Sequence, residues 1–318
     1  MRTAIVAGET QAGPATDFSC IARMREGTYP VHLMSGGLPS RAVCVSRDDK
    51  VRETVRRALE GAGITVDYLD ELPASAADLA LVVVDREVRR AAGAALRGLG
   101  APVIVVGDDL DDDGLITLMA LGPVSHCVAD PGDRDLGVTS EKLVSGDVFG
   151  LEKYLAAGTS IGERVVGSDV ERRAARGAVC AWAEAVGARR PIVHRLASVI
   201  DELMMNALRD APHRATVRWA CDDHVLAVSV GDELGALSQR DVIDNVRRAR
   251  SERGRPQPAT DIQRGAGLGL YLVLANVASL VVNVAPGRRT EVVCLFDRAA
   301  LGRPAVAPVR SLHVFAAP

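Results

Sequence analysis

Glu202 and Asn206 stand four residues apart within VHRLASVIDELMMNALRDAP, Val193 to Pro212. On a helix that spacing puts an acid and an amide one turn apart on the same side, so both can reach one ion or one phosphate. Ser198 and Asp210 extend the row in each direction. About sixty residues later the chain reads GAGLGL, Gly265 to Leu270. Glycine allows positive φ and close backbone approach, and bare N–H groups at a helix start attract phosphate oxygens. Between these stretches lies Asp232 in GDELGAL, and after them Thr290 opens TEVVCLF. A carboxylate for metal or proton work, an amide oxygen and a glycine-lined phosphate cradle together describe nucleotide chemistry.

The elements that must position these groups follow from periodicity. Val193, Leu196, Val199, Ile200, Leu203, Met204, Ala207 and Leu208 form the buried stripe of one helix, opposite the polar row. Ala215 to Cys221 and His224 to Val230 read as a hairpin turning at Asp222-Asp223. Ser238 to Arg264 holds seven arginines and four acids with Pro256 and Pro258, a charged loop between Asp232 and the glycines. LVVNVAP and TEVVCLF then close a second hairpin at Gly287-Arg288-Arg289.

Glu202-x-x-x-Asn206-Ala207 resembles the N-box of the GHKL ATPase superfamily, and Gly265-Ala-Gly267-Leu-Gly269-Leu its second glycine box. The resemblance covers about Ser168 to Asp297 and is greatest to anti-sigma-factor-type serine kinases and histidine kinase catalytic domains. It implies a Bergerat-type α/β sandwich over 168–298 that binds ATP and Mg²⁺. By the resemblance Glu202 is the general base and Asn206 the magnesium ligand. Asp232 reads the adenine amino group, Thr290 assists it, and Asp210, Gly235, Gly265, Gly267, Leu268 and Gly269 line the nucleotide. The family pattern Asp-x-Gly-x-Gly is broken, because Leu234 and Ala236 occupy the glycine places and Gly235 lies between them. A Rossmann reading would need GxGxxG directly after a buried strand, whereas GxGxG here follows the polar loop.

The first half of the chain has a different pattern. Arg41 to Ser46, Thr65 to Asp70, Leu79 to Asp85, Pro102 to Gly107 and Val124 to Ala129 read as strands. Helical stretches at Val51 to Ala62, Arg86 to Leu99 and Leu115 to Leu121 alternate with them, which predicts a parallel α/β layer. The layout over 41–131 is similar to a receiver domain, with Asp48 and Asp49 after the first strand and Asp85 ending the third. Asp130 stands where a receiver has lysine, and Gly107 and Asp108 where it has Ser or Thr, so the module reads as degenerate. Asp85 is open to two readings, a phosphoacceptor or a cap on the following helix.

Residues 132–167 read as a connector with a short helix at Phe149 to Ala157. Ser168-Asp-Val-Glu171 is a capping box. It opens a helix to Val186 that presents Val170, Ala174, Ala178, Trp182 and Val186. Residues 1–40 read as an extension and 299–318 as a tail with one terminal strand, Leu312 to Ala316.

With 318 residues, 48% hydrophobic and 25% charged, the chain has material for two cores. Its net charge of -3 and 3% aromatic content disfavour a nucleic-acid partner. Six scattered cysteines form no CxxC or Cys/His cluster, which disfavours structural zinc. The absence of a long apolar run and of a signal-like start predicts a cytoplasmic protein without membrane insertion.

Three functions remain open. The first is a serine/threonine kinase of the anti-sigma type acting on a protein partner, an anti-sigma antagonist, sigma factor or other signalling protein. The second is an ATP-gated binding module without catalysis, and the third a histidine autokinase. No phosphoacceptor hairpin precedes the N-box, and His194 on that helix reads as structural or solvated. A homodimer is open.

Overall fold

The apolar runs of the first half build five parallel strands. The computed structural model describes residues 41–108, 113–121, 124–129, 134–209, 213–251, 267–274, 276–298 and 311–317. Strands β1 (Arg41–Val45), β2 (Thr65–Leu69), β3 (Leu81–Asp85), β4 (Val103–Val106) and β5 (Val124–Val128) lie side by side in the order β2-β1-β3-β4-β5. All five residues of β3 are buried, as expected of a strand covered on both faces. Helices α1 (Asp49–Gly61), α2 (Arg86–Ala92) and α3 (Asp113–Leu121) alternate with them. The helix expected over Arg86 to Leu99 is shorter. It ends at Ala92 and is followed by a 3-10 turn over Ala95–Gly98.

The second half is antiparallel apart from one strand. Strand β6 (Gly162–Val166) pairs with β7 (Ala215–Cys221), β7 with β8 (Val225–Asp232), β8 with β10 (Arg289–Asp297), and β10 with β9 (Ser279–Ala285). The last strand, β11 (Ser311–Ala316), lies between β5 and β9, antiparallel to the first and parallel to the second. One eleven-stranded mixed sheet therefore runs from β2 to β6. The segment read as a tail supplies its central strand. The alternation Ser-Leu-His-Val-Phe predicts a strand but does not say where it pairs.

Helix α4 (Arg134–Ser145) packs against α1 and, with a 3-10 turn over Leu151–Tyr154, covers one face of the sheet. Neither α4 nor β6 is foreseen in the connector reading. Two helices, α5 (Asp169–Ala185) and α6 (Arg190–Ala207), join α7 (Gln239–Ser251) and α8 (Gly267–Leu274) on the other face. One continuous apolar cluster there joins Val45 and Val84 to Ile200, Val228, Val282 and Val314, so the two halves share a core.

The capping box forms as expected. Glu171 N–H donates to Ser168 Oγ (3.3 Å), and Gly167 N–H and Ser168 Oγ both donate to Glu171 Oε2 (2.9 Å). The buried stripe of α5 differs from the expected one. It is Ala175, Val179 and Ala183, while Val170 is 67% exposed. The two rows share a four-residue spacing and differ by one residue in phase, so Trp182 and Val186 of the expected row are half-buried at the edge of the core. Among the described residues no helix is long and apolar enough to cross a membrane.

Candidate functional site

Helix α6 starts at Arg190 with Pro191 in its first turn, where a missing N–H costs no helical bond. It buries Ile192, Val193, Leu196, Val199, Ile200, Leu203, Met204 and Ala207. At roughly 1.5–3 kcal/mol for each large side chain, this stripe fixes the rotation of the helix. Seven of the eight predicted residues lie in it. The eighth, Leu208, is half-buried at the helix end.

That rotation leaves Glu202 and Asn206 half-buried on the edge facing α8. Asn206 Nδ2 donates to Glu202 Oε1 at 3.3 Å. Gly269, in the second half-turn of α8, is buried against the same glutamate. A Cβ placed there would lie 1.6 Å from Glu202 Oε1 and 2.2 Å from Cδ. Glycine is thus what lets the two helices meet at the carboxylate. The helix begins at Gly267, so Gly267 and Gly269 stand inside its first turn rather than in a loop before it. Gly265 and Asp210 lie outside the described residues, as do residues 252–264 of the arginine-rich loop. Of Leu268 only the helical backbone is described.

A second group gathers where β8 ends. Thr290 and Asp232 are cross-strand partners. Leu234 N–H donates to Asp232 Oδ1 at 2.8 Å. Burial pushes the Asp232 carboxyl above its ordinary range. The backbone of Leu234 and Gly235, His213 and the Thr290 hydroxyl oppose that shift only in part. Thr290 Oγ1 is itself buried, near Asp232 but without a hydrogen bond of regular geometry. A half-buried acceptor beside an orphaned buried hydroxyl fits a ligand that offers an N–H.

Gly235 bends the chain after β8. It has φ +60°, and a Cβ there would meet Ala285 O at 2.2 Å and Arg288 N at 2.6 Å. Its carbonyl accepts from Gly287 N–H at 3.1 Å, tying the segment after β8 to the β9–β10 turn. One glycine at the central place makes the bend, while Leu234 and Ala236 flank it.

Residues absent from the sequence reading also enter the site. Arg209 Nη2 donates to Asn206 Oδ1 at 2.7 Å, occupying the oxygen expected to hold magnesium. Its i+3 spacing from Asn206 is the signal that could have found it. Ser198 instead donates to the carbonyl of His194 at 3.0 Å, and His194 is exposed.

In the parallel half, Asp85 caps α2 by accepting from Val88 N–H at 2.8 Å, and Asp48 caps α1 by accepting from Lys50 N–H at 2.8 Å. Asp108 is buried in an ion pair with Arg89. Among the described residues no group of three or more His, Cys, Asp and Glu side chains is placed to hold a metal ion. The geometry of Asp85 is that of a helix cap.

No family model matches the chain, and no curated protein matches it. Among solved structures, a chain in the crystal structure of the SiaB-SiaC complex from Pseudomonas aeruginosa is 18% identical with a TM-score of 0.32. The match covers 42% of this chain and 88% of that one. At that score the similarity fixes neither fold nor site.

Proposed function

We propose that this chain is an ATP-binding signalling protein with a GHKL-type site over 168–298, following a receiver-like module over 41–131. Its reaction is transfer of the γ-phosphoryl group to a serine or threonine hydroxyl of a protein partner. The observation that carries this reading is the meeting of Glu202, Asn206 and the Gly269 backbone at one place. Asp232 and Thr290 form the base-reading end, where the raised carboxyl and the orphaned hydroxyl suit the adenine amino group.

Glu202 takes the proton from the attacking hydroxyl as its oxygen bonds to phosphorus, and ADP leaves. Asn206 would hold Mg²⁺ through its amide oxygen once Arg209 releases it. When bound, the ion neutralises charge on the phosphate oxygens. The backbone around Gly267 and Gly269 positions the phosphates.

A second reading is an ATP-gated binding module without transfer. It is favoured by Leu234 and Ala236 in the glycine places and by the engagement of Asn206 with Arg209. Incubation with γ-labelled ATP and Mg²⁺, with and without co-purifying proteins, separates the two. Label on a partner serine or threonine supports the first and nucleotide binding without transfer the second. Acid-labile label on the chain itself would replace both with histidine autophosphorylation.

A further inference from the structure

The two halves of the sheet meet along a short ladder, in which Ser311, Leu312 and His313 of β11 face Val128, Cys127 and His126 of β5. His126 and His313 are thus direct cross-strand partners with stacked rings, their centroids 5.6 Å apart. Both are buried, at 1% and 0% exposure. Phe315 closes on His126, with centroids 4.5 Å apart. His126 Nδ1 has no hydrogen-bond partner.

The charged groups facing this pair come from the elements covering that face. On α4, Asp135 places Oδ2 3.3 Å from His313 Nε2 and accepts from Ser279 Oγ at 3.2 Å. Also on α4, Thr139 Oγ1 lies 3.4 Å from His313 Nδ1. One turn on, Lys142 Nζ donates to Tyr154 Oη at 2.7 Å and to Asn283 Oδ1 at 2.8 Å, and lies 3.9 Å from the Phe315 ring centroid. On β10, Glu291 accepts from Asn283 Nδ2 at 3.1 Å and from Gly150 N–H at 2.8 Å. Burial raises the Tyr154 phenol well above its ordinary value, which keeps it neutral. The remaining charges of α4 and the 3-10 turn point elsewhere. Arg134 pairs with Asp222, Glu152 with Arg218 and Lys153 with Asp147, while Glu141 is exposed. Helix α7 packs on the opposite face, against Leu312 and Val314.

Three bases, His126, His313 and Lys142, therefore share the seam with two carboxylates, Asp135 and Glu291. We propose that this seam is a proton-operated latch. It holds β11 on β5 while His126 is neutral and releases it when His126 takes up a proton. A charged His126 has no counter-ion in this dry site, because Asp135 lies against His313 and Glu291 is taken up by Asn283 and Gly150 N–H. Burial, then His313 and Lys142, push the His126 imidazole well below its ordinary value, so the latch stays shut at neutral pH. Burial alone would raise the Asp135 carboxyl, but His313 and the Ser311 and Ser279 hydroxyls outweigh it and hold it low. Asp135 thus keeps its charge as the pH falls. The register leaves only those three residue pairs to part, so the opening is local to the β5–β11 ladder, while the shared core on the other face holds the two halves together.

Cys127 reports the event, because it is a buried cysteine paired with Leu312 inside the ladder. Cys294 on β10, equally buried, is the reference. The full chain is labelled with 4,4′-dithiodipyridine, which reacts at acid pH, and labelling is read peptide by peptide. Measured against the urea-unfolded chain labelled at the same pH, which removes the change in thiolate fraction, Cys127 should react on the order of tenfold faster at about pH 5.5 than at about pH 7.5, with Cys294 still protected. His126→Phe keeps an aromatic ring and should abolish the change. His126→Gln serves if that variant does not fold. An unchanged Cys127 rate in the wild type, the same acceleration in the His126 variant, or Cys127 and Cys294 opening together would each overturn the latch.

Discussion

Replacing Gly269 by alanine should have opposite effects in two backgrounds. The added Cβ would stand 1.6 Å from Glu202 Oε1, 2.2 Å from Cδ and 2.7 Å from Cγ. Since unbonded heavy atoms rest about 3.5 Å or more apart, the carboxylate must retreat by roughly 2 Å. That retreat breaks the 3.3 Å bond from Asn206, a loss of about 0.5–1.5 kcal/mol. Crowding adds about 1–3 kcal/mol, and alanine's better helix propensity returns up to about 1 kcal/mol. Gly269→Ala alone should therefore destabilise by about 0.5–4.5 kcal/mol. In a Glu202→Ala background nothing remains to crowd, and the same change should stabilise by up to about 1 kcal/mol. The propensity gain is common to both backgrounds, so the coupling energy is about 1.5–4.5 kcal/mol, read from urea midpoints followed by the fluorescence of Trp182 and Trp219. Additive effects, within about 0.5 kcal/mol, would refute the contact between α6 and α8 on which the site is built.

Gly235→Ala meets backbone at 2.2 Å and a left-handed φ, so it should cost upward of about 2 kcal/mol in the same denaturation assay. On the proposed reading Asp232 accepts from adenine, more strongly when ionised, and its carboxyl titrates above the ordinary range. ATP affinity should accordingly start to fall on acidification at a higher pH than an exposed aspartate would give, as followed by fluorescent-nucleotide displacement. Lys142 is pushed down from 10.5 to about 7, by burial first. A base whose folded pKa lies below its unfolded one binds fewer protons when folded, so stability should be lost as pH falls from about 10 to about 7. Lys142→Met should flatten that slope in urea titrations across the range. Arg209→Ala frees Asn206 Oδ1 and should strengthen Mg²⁺-dependent nucleotide binding, measured as the ratio of ATP affinities with and without the ion.

Local signals in the sequence translated well. The α6 stripe, the capping box at Ser168 and both hairpins follow from periodicity and turn chemistry, and with α6 the pairing of Glu202 and Asn206 was legible. The fit of Gly269 against Glu202 was not, because it depends on how α8 approaches α6 and no spacing in the chain encodes that. Gly235 looked like a misplaced family glycine until its φ and the β9–β10 turn showed which residue bends. Helix α4 was hidden by a Gly- and Asp-rich stretch, its burial supplied by α1 and the sheet. The place of β11 was least legible, since a strand's partners lie far away in sequence. The seam residues around it, Asp135, Lys142, His126, Asn283, Glu291 and His313, are scattered over almost two hundred positions and come together only when that strand is inserted.

The central claim is an adenine nucleotide held between the Glu202 and Asn206 edge of α6 and the Asp232 and Thr290 end of the sheet. Calorimetric titration of the full chain with ATP and Mg²⁺, with GTP run beside it, tests that claim most directly. Saturable heat with ATP, little with GTP, and loss of the ATP signal in both Asn206→Ala and Asp232→Asn is the predicted result. No heat with ATP, or equal heat with the two nucleotides, would contradict it.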